Sequence, residues 1–362
     1  MPSSSPVADA ITRALDQFLG RMRAESADYG PDGRQFLDAA AATLSGGKRL
    51  RARFCHAGWT AVARASDRTA AEPEALWRLC AALEVFQAAA LVHDDLIDNS
   101  DTRRGRPAAH RALEAEHRDA GWSGDAEAFG RSGAVLLGDL LVAWSDDLLE
   151  DALRDLPNAP AVRAEYARMR RDVTTGQFLD IAEESAWSVS PLAEHAERAL
   201  RVISFKSARY SIAQPLRLGA LLAGADAAQL SALDDFGMPL GMAFQLRDDV
   251  LGVFGDAAVT GKPSGDDLRE GKRTVLIAFT RERLAAPGRA VLDEMLGDDD
   301  LDESQIAALQ ATVRESGALD RVEDLITDYA KTADRALTGA RLDNAAVGEL
   351  RDLARAATTR VA

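Results

Sequence analysis

Two acidic patterns, each closing an apolar helical run, carry the chemistry of this chain. The first reads Leu91-Val92-His93-Asp94-Asp95-Leu96-Ile97-Asp98 and continues as Asn99-Ser100-Asp101-Thr102-Arg103-Arg104-Gly105-Arg106-Pro107. On a helix, Asp94 and Asp98 share one face. Like charges at that spacing repel, so the pair costs stability until a cation joins them. A hard divalent cation such as Mg²⁺ prefers carboxylate oxygens and keeps waters that a substrate phosphate displaces. A lone pattern of this kind is most simply a solvated helix end. Here apolar Ala88–Val92 precedes it and Arg-Arg-Gly follows, and together these point to a cleft facing a phosphorylated ligand.

The second pattern is Phe244-Gln245-Leu246-Arg247-Asp248-Asp249-Val250-Leu251-Gly252, followed by Thr260-Gly261-Lys262-Pro263-Ser264-Gly265-Asp266-Asp267 and Gly271-Lys272-Arg273-Thr274. Lys262 and Lys272 bracket a glycine-bearing loop suited to laying N–H and ammonium groups against phosphate. Taken alone, each lysine is a surface residue. Ser45-Gly46-Gly47-Lys48-Arg49-Leu50-Arg51 opens a basic helix behind a tight turn, which is either an anion site at a helix N-terminus or a solvated turn. Lys206-Ser207 lies within an apolar helical run. A lysine there needs a partner, such as a diphosphate, or it snorkels to solvent.

The elements that position these groups read as helices. Apolar residues recur at helical spacing across most of the chain, and Leu76–Val92 has so few polar breaks that its helix should be largely buried. Thr274–Thr280 (TVLIAFT) is the best strand signal, but it continues into a charged helical pattern. The expected fold class is all-α, as a single domain over residues 1–362 with a motif-bearing core at about 40–285.

Composition narrows the function. The 362 residues carry 43 Lys+Arg and 58 Asp+Glu, a formal charge of −15. That balance excludes a duplex nucleic-acid binder and a polybasic membrane anchor, both of which need a cationic face. Two cysteines, Cys55 and Cys80, imply no disulfide framework, and a reduced cytoplasmic setting is the default. No signal peptide is evident at the N-terminus. The best apolar stretch, Gly133–Trp144, is broken by Asp139, so no transmembrane segment is expected.

Taken in order, GGKRLR, HDDLIDNSDTRRG, GQFLD (Gly176–Asp180), Lys206-Ser207, FQLRDD and GKPSGDD resemble the trans-isoprenyl diphosphate synthases, or polyprenyl synthetases, most like bacterial geranylgeranyl diphosphate synthases. The resemblance implies a bundle of long helices around a deep central cavity, usually a homodimer. It implies head-to-tail condensation of isopentenyl diphosphate with an allylic diphosphate, which ionises to a carbocation. Two or three Mg²⁺ per site are implied, held by Asp94 and Asp98 and by Asp248, with Asp95 and Asp249 as direct or indirect partners. By the same resemblance, Arg103, Lys206 and Lys262 contact the allylic diphosphate. Lys48, Arg51, Arg104 and Gln87 hold isopentenyl diphosphate. Gln245 and the Ser207 hydroxyl lie near the developing cation, and Lys272 closes over the phosphate end. Two departures stand out. Gly252 leaves the second motif without its third carboxylate, and Ser207 replaces a threonine while keeping the hydroxyl.

Product length is set, on this resemblance, by side chains above the first motif. Ala89 and Ala90 are small and let a C15 chain pass. Phe86, a turn further up, is the candidate floor. With one helical turn of ~5.4 Å taken as roughly one isoprene unit, a C20 product is expected, against C25 or longer and against C15. A class I terpene cyclase and a His-Asp metal phosphohydrolase, suggested by His93-Asp94, are the competing readings. The first has no use for an isopentenyl site, and the second requires more histidine ligands than five residues readily supply.

Overall fold

The structure, a computed structural model, describes residues 6–66, 73–255 and 264–358; Asp256, Lys262 and Arg360 lie outside them. Among the described residues the chain is helical apart from one short ribbon. In order, the helices are α1 (Pro6–Glu25), α2 (Gly30–Thr43), α3 (Leu50–Ala63) and α4 (Glu74–Ile97). The ribbon of β1 (Thr102–Arg103) and β2 (Arg106–Pro107) follows, then α5 (Ala109–Asp119), α6 (Ala126–Leu153) and α7 (Ala159–Ala186). Next come α8 (His195–Val202), a π-helix (Ile203–Ala213), α9 (Gln214–Leu222) and α10 (Ala227–Phe254). The last are α11 (Asp266–Arg269), α12 (Val275–Arg283), α13 (Ala286–Met295), α14 (Glu303–Glu315), α15 (Ala318–Ala336) and α16 (Asn344–Thr358). Contacts divide the chain into two compact units, residues 1–56 with 69–163 and residues 57–68 with 164–362.

In the first unit α4 is the central element. Leu76, Leu79, Cys80, Leu83 and Val85 are fully buried, and α4 packs chiefly on α6, with α1 alongside. The expectation that Gly133–Trp144 is the most membrane-like stretch is corrected. It is α4 that is long and apolar enough to cross a membrane, with a mean hydropathy of 1.5, and 67% of that window is buried inside the protein. A helix enclosed by other helices needs no polar face, which is why it has none. The Asp125 side chain caps α6, accepting from the N–H groups of Glu127 and Ala128.

In the second unit α10 is central, packed on α15, the π-helix and α9. It starts in a capping box between Asp226 and Gln229. The π-helix has a local cause. Pro215 has no N–H to donate, and its ring collides with the carbonyl four residues back. The ladder upstream takes the wider spacing, with the Gln214 N–H bonded to the Arg209 carbonyl. TVLIAFT is helix α12 rather than strand, capped by the Thr274 side chain. Val275–Thr280 are all buried, so the segment lacks the polar face that marks a helix in sequence.

Candidate active site

In the first unit the acidic pattern sits at the C-terminal end of α4. Asp98 is the C-cap, Asn99 adopts a left-handed φ of 53°, and the Ser100 N–H closes back on the Asp95 carbonyl at 2.9 Å. The chain then turns through Arg104 (φ 53°) and Gly105 (φ 72°) between the two strands. Positive φ at both central residues makes this a tight two-residue hairpin. The hairpin returns Arg103 to the end of α4, where its Nε donates to Asp95 at 2.7 Å and its Nη2 also meets Asp95. Arg103 Nη2 lies 3.7 Å from Asp94. Asp95 is buried, and burial outweighs Arg103 to raise its pKa. Asp94 and Asp98 are half-buried.

The basic turn at 45–51 faces the same hairpin. Gly46 and Gly47 have φ of 72° and 86°, and Arg49 has φ of 50°. The Arg104 guanidinium lies directly on Gly47, where a Cβ would come within 2.8 Å of it, and its Nη1 donates to the Ser45 carbonyl at 3.2 Å. Burial lowers the Arg104 pKa, with Arg49, Arg103 and Arg51 adding to the effect and Glu84 opposing it. Glu84, buried within α4, accepts from the Ala52 N–H at 3.2 Å and lies 3.5 Å from Arg49. It anchors the start of α3. Lys48 is exposed in this loop and Arg51 half-buried on the first turn of α3. The result is a cluster of arginines beside the hairpin, a surface suited to phosphate oxygens. Gln87 is half-buried in an otherwise buried stretch of α4, while Phe86 and Ala89 are buried and Ala90 is half-buried.

In the second unit Lys206 and Ser207 lie on the π-helix. Gly176 of α7 lets the two helices touch: a Cβ there would fall 2.3 Å from the Lys206 backbone nitrogen. Lys206 Nζ donates to Asp180 at 2.5 Å. Glu184, one turn beyond Asp180, has its pKa raised by burial and by Asp180. On α10, Gln245 donates to Asp249 at 2.8 Å. Asp249 is buried, and burial pushes its pKa up to about 8. Asp248 is half-buried beside it. Arg247 holds this turn in place through a two-pronged contact with Glu323 of α15, both at 2.6 Å, and a bond from Nε to the Thr358 carbonyl of α16. Lys272 meets Asp267 at 3.1 Å and Glu270 at 2.6 Å. Burial opposes its charge, but these carboxylates overcome that and raise its pKa.

Glu84, Asp180 and Asp267 were not singled out from sequence. Glu84 had a signal, as a charge inside a buried helical run. Asp180 had a weaker one, as the last residue of a recognised motif.

The donor set fits a hard cation. In the first unit Asp94 and Asp98, and in the second unit Asp248, each offer only carboxylate oxygens. His93 is turned onto α6, with Nε2 3.3 Å from the Val135 carbonyl. Among the described residues no three His, Cys, Asp or Glu side chains gather into a ready-made cage. Mg²⁺ is commonly held by one or two carboxylates together with substrate phosphates, and the pair on α4 offers that arrangement.

Comparison with known proteins agrees with this chemistry. Residues 34–313 match the polyprenyl synthetase family model. The geranylgeranyl diphosphate synthase of Sulfolobus acidocaldarius is 32% identical over 80% of this chain and 79% of its own. The geranylfarnesyl diphosphate synthase of Aeropyrum pernix is 30% identical over 80% of this chain and 82% of its own. A solved geranylgeranyl pyrophosphate synthase from Corynebacterium glutamicum, in complex with isoprenyl diphosphate and magnesium, is 38% identical, covers 98% of each chain and superposes with a TM-score of 0.91.

Proposed function

We propose that this chain, which belongs to the polyprenyl synthetase family and is a trans-prenyltransferase, makes the C20 product geranylgeranyl diphosphate from isopentenyl diphosphate and an allylic diphosphate. The observation that carries the chain length is on α4, where small Ala89 and Ala90 lie between the acidic end and buried Phe86. The C20-forming relatives support the same length. The C25 reading keeps its own support in the Aeropyrum pernix relative.

In this reading Asp94, Asp98 and Asp248 bind two or three Mg²⁺. Bound Mg²⁺ neutralises the charge on the departing diphosphate as a Lewis acid and template. Asp95 and Asp249 support it from behind, each fixed by a hydrogen-bonded neighbour. Arg103, Lys206 and Lys262 bind the allylic diphosphate. Asp180 aims the Lys206 ammonium, and Arg103 is aimed by Asp95. Lys48, Arg51, Arg104 and Gln87 hold isopentenyl diphosphate, so that its double bond is presented to the allylic carbon. Gln245 and the Ser207 hydroxyl turn oxygen toward the developing cation, and Lys272 covers the phosphate end. A homodimer in the cytoplasm completes the reading. It is supported by exposed Phe129 and Leu136, two turns apart on one side of α6, and by two buried free cysteines.

The test is incubation of purified protein with labelled isopentenyl diphosphate and farnesyl diphosphate, then chain-length separation of the dephosphorylated products. A dominant C20 alcohol is expected. Dominant C25 selects the second reading, and dominant C15 or C30 and above overturns both.

A further inference from the structure

Gly252 leaves the second acidic motif one carboxylate short, and the structure fills that gap from elsewhere. A Cβ built on Gly252 would stand 1.8 Å from Oδ2 of Asp267 and 2.3 Å from its Cγ. The Asp267 carboxylate therefore rests on the Gly252 backbone, in the volume that any side chain at 252 would enter. No flexible tip makes this contact, because the group in the way is a short carboxylate held at its other end.

The local fold delivers it there. Gly265, with φ of 76°, precedes α11, and Ile306 leaves no room for a side chain at 265. The Asp267 carbonyl accepts from the Lys272 N–H at 3.0 Å, and its Oδ1 meets Lys272 Nζ at 3.1 Å. The Asp267 side chain is only 12% exposed. Backbone and side chain thus close one small ring, with the ammonium of Lys272 on one side and α10 on the other.

We propose that Asp267 is the third carboxylate of the second acidic motif, supplied across Gly252 from the loop that follows α10. It is a positioning residue: its carboxylate stands over Gly252, one helical turn beyond Asp248 on α10, and it aims Lys272. Gly252 and Asp267 form one exchangeable unit, in which the absence of a side chain at one position admits the carboxylate of the other. This rests on the assignment of Asp248 as a magnesium ligand in the proposed function.

The test is magnesium-dependent binding of inorganic pyrophosphate to the full chain, read by calorimetry, with the melting temperature followed in parallel. Loss of a partner that orients metal ligands costs roughly 10- to 100-fold in affinity. Asp267→Asn is expected to raise the pyrophosphate Kd about tenfold and to raise the magnesium midpoint, with little change in melting temperature. Gly252→Ala is expected to weaken pyrophosphate and magnesium binding likewise although Asp267 is retained, because the methyl displaces the carboxylate, and to lower the melting temperature through overpacking. Gly252→Asp combined with Asp267→Ala is expected to recover most of what Asp267→Ala loses. Wild-type magnesium dependence in Asp267→Asn overturns the proposal, as does a double variant no better than Asp267→Ala. Asp248→Ala separates the two levels. If it leaves pyrophosphate binding intact, the assignment of the site itself fails and takes this proposal with it.

Discussion

The imidazole of His93 lies flat against the backbone of Gly138: a Cβ at 138 would fall 2.1 Å from its Nε2. This contact sets how closely α6 approaches the acidic end of α4, one residue before Asp94. Gly138→Ala is expected to push His93 aside and shift Asp94 with it. Overpacking of this kind costs about 1–3 kcal/mol of stability, and a displacement of about 1 Å at a reacting group can cost about 100-fold in rate. Thermal unfolding and kcat/KM together check it, and a variant with wild-type kinetics refutes the link.

The Lys206–Asp180 pair gives a second prediction. Lys206→Ala is expected to lower kcat/KM for the allylic substrate by about 100-fold, the scale of losing one charged donor to a departing group. Asp180→Asn keeps the ammonium but loses its aim, and about tenfold is expected. The KM for isopentenyl diphosphate is expected to stay unchanged in both. Steady-state kinetics with each substrate varied separately decides the matter.

Phe86→Ala is expected to lengthen the product by at least one isoprene unit, because small Ala89 and Ala90 leave Phe86 as the next bulky side chain on that face of α4. Product chromatography reads the result directly. An unchanged length removes Phe86 from this role.

His195 predicts a pH dependence of stability. It is fully buried and stacked on Trp187 at 3.9 Å, with Nε2 3.1 Å from the Ser190 carbonyl and Nδ1 3.2 Å from Nη1 of Arg281. Nδ1 accepts from Arg281 and Nε2–H donates, so the ring is neutral. Burial lowers its pKa below the ordinary 6.5, opposed by the hydrogen bond to the Ser190 carbonyl and by Glu183, while Arg281 and Arg198 act with burial. The unfolded chain therefore binds a proton before the folded one does. This contribution to stability is constant well above pH 6.5 and is lost as pH falls through about 6.5 toward the lower folded value. The drop in melting temperature between pH 7.5 and 5.5 should be smaller in His195→Gln than in the wild type.

Leu136→Asp places a charge at an exposed apolar side chain of α6, two turns beyond exposed Phe129. Sedimentation velocity is expected to show a dimer for the wild type and a monomer for the variant. A monomeric wild type removes the homodimer from the proposed function.

The acidic ends of α4 and α10 were legible in sequence because each interrupts an apolar run, and helical spacing alone puts Asp94 and Asp98 on one face. What holds the cations was not legible. Arg49 and Glu84 lie 35 residues apart and Lys206 and Asp180 lie 26 apart, so only packing brings them together. The π-helix escaped notice because its pattern differs from the α-helical one over too few residues. TVLIAFT is ambiguous by itself because burial on all sides erases periodicity, and the charged helical pattern beyond it is what marks a helix. The hairpin through Arg104 escaped because strands of two residues leave no alternation to detect.

The grip of Arg247 on Glu323 and on the Thr358 carbonyl has a practical bearing on how the protein is handled. The last turn of α16 is moored to the residue immediately before Asp248. A substitution that strains the last turn of α16 would load that mooring, whereas one in α1 would load a helix that bears none of the proposed site residues. Kinetic constants of α16 variants are therefore best read beside their magnesium dependence, since a distant helix end bears on the second acidic pattern.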